Sequence, residues 1–309
     1  MTDKVLPGAS REALGFIAAH WKNLLKMSIV PFAVYLAVAV FQVRNMVNLY
    51  RNMGSMTDAQ SLNPNFMGEY MRGMGVSMIG SLLAFSLLGL LFAQIIRFHK
   101  TGEAKWLMTD KAGIVAGLMT LVYGIGISML TMLVYFGSIL GFGILAVIFG
   151  LIFGALLGSN AIAGVLAAII GITGIFAILA GLYWFMFRFM VGLPGVALGS
   201  SPDFFKDMWP LSKGESWGLP LRMILATLIA YVPMLFVLAI FAGPSFMDMI
   251  TNVAKLENTN NPAAMFPIMA DLMDQMLPAT VAMMVVYVPF MWFMTLLLGI
   301  AFQRFRGRS

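Results

Sequence analysis

The sequence predicts an all-α protein, a polytopic transmembrane helical bundle of about six spans with short interfacial helices. Three observations carry this prediction. Residues 112–187 run 76 positions without one Lys, Arg, Asp, Glu or His, and roughly 20 apolar residues already cross a bilayer. Hydrophobic residues make up 61% of the 309 residues and charged residues 10%, where a soluble domain carries about 25% charge. Finally, 15 of the 19 Lys and Arg fall in alternate connections between the apolar stretches, the asymmetry that orients membrane proteins.

Composition excludes several classes of function. There is no cysteine, so disulfides and thiolate metal sites are absent. Residues 1–19 carry Asp3 and Glu12 and lack the small-residue cleavage site of a secretory signal, so they read as part of the working chain. The net charge of +6 reports topology, not a nucleic-acid partner, because no basic face is interleaved with aromatics in a soluble segment.

Taken in order, residues 9–26 read as an interfacial helix. Ser10 can cap it, Glu12 sits where the helix dipole favours an acid, and Leu14, Ile17, Trp21 and Leu24 or Leu25 share a face. The alternative is that these are the first turns of span 1. Span 1 covers 24–43, with Pro31 expected to begin or kink it. A polar loop is expected over 44–72, with a turn at Asn63-Pro64-Asn65, and then span 2 over 73–96.

The long uncharged run has length for three crossings. Charge requires an even number between Lys111 and Arg188. The expectation is spans at 112–136 and 161–187, with 137–160 a re-entrant or membrane-embedded segment or an extra span. Gly137-Ser138 and Ser159-Asn160 are the candidate turns. Within it Ala146, Gly150, Gly154 and Gly158 recur every four residues, a row that lets another helix approach closely. It serves internal packing or a homo-oligomer.

Leu193-Pro194-Gly195 breaks the next helix. Ser201-Pro202-Asp203 has the order of cap, first-turn proline and first-turn acid, and opens a second interfacial helix that Gly214 can end. Spans follow at 219–242 and 280–302, with Pro233 and Pro289 inside them and an acidic connection over 243–278. The string Tyr231-Val232-Pro233 recurs as Tyr287-Val288-Pro289, which suits ordinary kinks as well as the paired broken helices of transporters. The charge split then places both termini in the cytoplasm of a bacterial inner membrane.

Arg188, Leu193-Pro194, Val196-Ala197-Leu198, Phe205, Trp209, Leu211-Ser212-Lys213-Gly214 and Trp217 together resemble a signature of the YciC-like bacterial membrane family. They are also similar to the membrane domain attached to some glycerophosphodiester phosphodiesterases. Pro210 departs from the uninterrupted helix of that pattern. The resemblance covers about 45 residues and implies a non-enzymatic protein of envelope or lipid homeostasis; it carries over no catalytic residue and implies no cofactor.

The residues left to carry chemistry are few. His20 and His99 are the two histidines and lie far apart in sequence, which supports neither a metal site nor a nucleophilic triad. Arg188, Lys206, Lys213 and Arg222 are the candidate lipid-headgroup contacts, an arginine being suited to bidentate phosphate recognition. Arg188 alternatively snorkels to the interface. The chain has 28 methionines. Met67, Met71 and Met74, with Met265, Met269, Met273 and Met276, stand at helical spacing near the outer segments. Thioethers bind Cu(I), so a copper or small-solute transporter is the alternative function. Met as flexible apolar filler is the plainer reading.

Overall fold

A computed structural model describes residues 8–54, 64–104, 111–157, 161–211, 217–256 and 265–307, with the backbone alone at 54, 64–67, 69, 139–140, 142–157, 161–172, 175–176, 242 and 244–256. The elements are α1 (Ala9–Gly54), α2 (Pro64–Thr101), α3 (Lys111–Leu157), α4 (Ala161–Met190), the short α5 (Leu193–Ala197), a π-turn (Phe204–Met208), the three-residue α6 (Trp209–Leu211), α7 (Gly218–Leu256) and α8 (Met265–Arg306). Six of these helices are long and apolar enough to cross a membrane. The protein is an all-α, multi-pass membrane protein, and its exposures agree. Leu225, Leu228, Ile229, Val232, Leu235 and Phe236 of α7 are all more than half exposed, an arrangement that lipid accepts and water does not.

The six long helices close a ring. α1 packs on α2 and α8, α2 on α3, α3 on α4, α4 on α7, and α7 on α8, while α5 sits against α2, α3 and α8. Neighbours run antiparallel. Arg304 near the end of α8 meets Glu12 at the start of α1 at 2.6 Å, and Arg51 near the end of α1 meets Asp271 and Asp274 at the start of α8 at 3.4 and 3.3 Å. The first and last helices therefore begin and end at the same, basic end of the bundle.

The tight core lies toward that end. Leu24, Leu91, Ile95, Phe98, Phe187 and Leu296 are among its fully buried side chains. A buried relay ties α1 to α8: the Trp292 indole donates to Ser28 Oγ at 2.7 Å, and that hydroxyl donates to the Leu24 carbonyl at 2.7 Å. Between α2 and α3 the approach is closest at Gly89 and Gly117. A Cβ on Gly117 would lie 2.4 Å from Leu90 Cδ2 and 3.0 Å from its Cα, and one on Gly89 would lie 3.1 Å from the Gly117 carbonyl.

Several expectations about boundaries are corrected. The connections 44–72 and 243–278 are not long loops: α1 continues to Gly54, α2 starts at Pro64, α7 continues to Leu256 and α8 starts at Met265. Polar residues past a span continue the helix because its hydrogen bonds are internal and need no lipid. Pro64 is the first residue of α2 rather than the middle of a turn, the position where a missing N–H is harmless. Pro31 lies inside α1, and the kink falls instead at His20, whose φ of −123° and ψ of 16° leave the helical region. Before that kink the buried face is Ala9 and Ala13 and Leu14 is exposed, as is Trp21 just after it. Gly137-Ser138 makes no turn, since α3 runs through it and on to Leu157 as one helix. The other candidate turn, Ser159-Asn160, lies outside the described residues.

Candidate functional site

The segment after α4 folds back as a plug in the basic end. A left-handed glycine, Gly199 at φ +96°, closes α5, a conformation glycine adopts without steric cost. All five residues of α5 are buried. A Cβ on Gly195 would meet the Phe302 ring at 2.8 Å and Ser200 Oγ at 2.9 Å, so glycine lets this turn seat against α8. Two arginines hold the plug. Arg97 Nε donates to the Ala197 carbonyl at 3.0 Å. Arg188 lies 4.0 Å from the Trp209 ring centroid and 5.1 Å from that of Trp184, and its Nη2 donates to the Trp209 carbonyl at 3.1 Å. The guanidinium is thus used inside the protein, in a cation–π stack.

Asp203 caps the π-turn. Its Oδ1 accepts from the backbone N–H of Phe205 and of Lys206, both at 2.9 Å. These bonds favour the ionised form and hold the Asp203 carboxyl below its ordinary range. The cap is therefore Asp203, where the sequence pattern favoured Ser201. The expected interfacial helix is a π-turn followed by the short α6, with Pro210 inside α6.

Beside this turn is a cavity of about 630 Å³. Ser200, Ser201, Lys206 and Arg306 stand around it, and Met208, Leu211, Phe302 and Phe305 give it an apolar floor. Asp207 also borders it, with its carboxylate accepting the Asp203 backbone N–H at 2.7 Å.

Of the four headgroup candidates, Lys206 reaches this cavity, and Arg188 is held by the tryptophans. Arg222 is half-buried near the start of α7, and Lys213 lies outside the described residues. Ala146, Gly150 and Gly154 are on α3 with only their backbone described, and Gly158 is outside the described residues. Met71 and Met265 are exposed, Met269 and Met273 are half-buried, and Met67 is described by its backbone alone. The two histidines, distant in sequence, meet on one ring: Phe16 is 4.5 Å from His20 and 4.9 Å from His99.

The other end holds a second feature, which the sequence reading passed over. A groove of about 980 Å³ opens between α1 and α2. Gln42, Asn45, Asn48 and Asn52 line it from α1, and Ser77 and Ser81 from α2. Gln42 Nε2 donates to Ser81 Oγ at 2.6 Å and to the Ser77 carbonyl at 3.4 Å. Toward the basic end the walls become Met78, Ile79, Leu82 and Phe85, each more than half exposed. The signal was the 3-3-4 spacing of the four amides, which puts them on one helical face. The polar composition of 44–72, which reads as a loop, hides the continuation of α1 to Gly54 on which these amides stand.

No protein-family model, curated protein or solved structure matches the chain.

Proposed function

We propose that the chain is a non-enzymatic protein of the bacterial inner membrane that holds anionic lipid at its basic, cytoplasm-facing end, in the service of envelope or lipid homeostasis. The observation that carries this reading is the cavity where Lys206 and Arg306 stand beside the Ser200 and Ser201 hydroxyls, above an apolar floor that includes Phe302 and Phe305. Cationic and hydroxyl donors suit a phosphate, and the aromatic floor suits an acyl chain. Among the described residues the same end collects 11 of the 15 Lys and Arg, and the positive-inside rule favours the cytoplasm for it. The resemblance of 188–217 to the YciC-like family points the same way, and residues 188–211 of that stretch fold into the plug that borders the cavity.

The test is lipid retention. The full chain is extracted in mild detergent and its bound phospholipids are weighed by mass spectrometry against the membrane they came from. Anionic phospholipid should be enriched, and the double variant Lys206→Gln with Arg306→Gln should bring the ratio back to that of the membrane. Enrichment unchanged in the double variant would overturn the reading.

A further inference from the structure

We infer that the groove between α1 and α2 is a second binding site, for a membrane amphiphile with an uncharged polyol headgroup such as a hexosyl diacylglycerol. This goes beyond the anionic-lipid reading and does not depend on it. The first argument is depth. A hydrocarbon core of about 30 Å takes about 20 helical residues. Counted from Leu24 on α1 and back from Arg97 on α2, the boundary at the far end falls near Arg44 and Ser77. Asn48 and Asn52 then stand at headgroup level, Gln42 and Ser81 just inside the boundary, and Leu82 and Phe85 among acyl chains. The groove is therefore mixed at its mouth, where Asn48 and Asn52 stand among Leu49, Tyr70 and Met74, and apolar at its inner end, which is the order of groups in a lipid entering from that leaflet. A partner helix crossing the membrane would need no such gradient.

The second argument is charge. The described lining contains amides, hydroxyls and apolar side chains but no Lys, Arg, Asp or Glu. Arg51, close by in sequence, is drawn to Asp271 and Asp274 of α8. Among the lining residues a phosphate headgroup has no cationic partner, the exposed Arg44 and Arg72 lying next in sequence to Asn45 and Gly73 but outside the lining. Amides each offer two N–H donors and one acceptor, and sugar hydroxyls, which both donate and accept, are their match. The volume of about 980 Å³ admits a hexose and the first part of its chains.

The full chain is placed in phosphatidylcholine nanodiscs doped equally with monoglucosyl diacylglycerol and phosphatidylglycerol, and retained lipids are counted by native mass spectrometry. The glucolipid should be retained over phosphatidylcholine. Asn45→Leu with Asn48→Leu should lower that retention about tenfold, the loss of a few hydrogen bonds, and leave phosphatidylglycerol retention unchanged. Gly73→Leu serves as a second variant. A Cβ there meets only Asn45 Nδ2, at 3.8 Å, so the longer side chain fills the groove without forcing the helices apart, and it should also abolish glucolipid retention. Glucolipid retained no better than phosphatidylcholine, or retained equally by both variants, overturns the proposal. So does displacement by free glucose, which would make the ligand a soluble sugar. Disulfide-linked dimers of an Asn48→Cys variant in the nanodisc would likewise overturn it, by making the groove a seat for a second copy.

Discussion

Arg188 shows how far a single residue can be read from sequence. Its position at the end of a span was legible, and so was Trp184 one turn before it. Trp209 was not, because it lies past the Leu193-Pro194-Gly195 break and returns only through the fold. The contact it makes is planar: stacking on two indoles and donation to the Trp209 carbonyl. Lysine keeps the charge but has no plane to stack and fewer directed donors. Arg188→Lys should therefore lower the unfolding free energy by about 1–2 kcal/mol, read as a fall in Tm of the purified protein in detergent. The loss should be accompanied by a change in tryptophan fluorescence. A variant as stable as the parent would mean the stack contributes nothing beyond charge.

At the scale of elements, helix type and number were legible and helix ends were not. Apolar length identifies a span, but it says nothing about where a helix stops once it leaves lipid, and α1, α2, α7 and α8 all run on beyond their apolar stretches. The close approach of α2 to α3 was also out of reach. The small-residue row at Ala146, Gly150, Gly154 and Gly158 stood out by its period, while Gly89 and Gly117 lie on different helices and share no spacing. Gly117→Ala puts a methyl into Leu90, including its Cα, which a side-chain rotation cannot relieve. The expected cost is about 1–3 kcal/mol of overpacking, measured as a Tm decrease. Gly181→Ala on α4, where a Cβ would meet nothing within 4 Å, is the comparison and should be neutral or slightly stabilising through helix propensity. The π-turn gives a pH test. Its cap accepts two backbone N–H bonds on one oxygen of Asp203, bonds that are stronger to the ionised carboxylate than to the neutral acid, and its folded pKa lies below the unfolded value. The cap's contribution is complete above the ordinary aspartate range and fades as pH falls through the lower, folded value. Trp209 fluorescence should thus hold steady down to the ordinary aspartate range and change only at more acidic pH. Asp203→Asn keeps an acceptor oxygen and should remove that acid transition.

For the whole molecule, the six-helix ring and the charge split bear on the same question from different physics. Packing places the start of α1 and the end of α8 together, through Glu12 and Arg304 at 2.6 Å, so an even number of crossings lies between them. Charge gives the expected orientation, with the basic end toward the cytoplasm: among the described residues 11 Lys and Arg stand at the end where α1 starts and α8 ends, and 4 at the other. The long run 112–187 is where these arguments strain against length. α3 alone has 47 residues, about 70 Å along its axis against a hydrocarbon core of roughly 30 Å, and this excess is why apolar length suggested an extra crossing. A reporter active only outside the cytoplasm decides it when fused after residues 105, 160, 213, 260 and 309. Signal is expected at 160 and 260 and none at 105, 213 and 309. Signal at 213 and 309 with none at 260 would mean that the apolar excess makes a further crossing. In that case the acidic stretch of 243–278, with Asp271 and Asp274, would face the cytoplasm, the basic cavity with Lys206 and Arg306 would face away from it, and the anionic-lipid reading would lose the leaflet on which it depends.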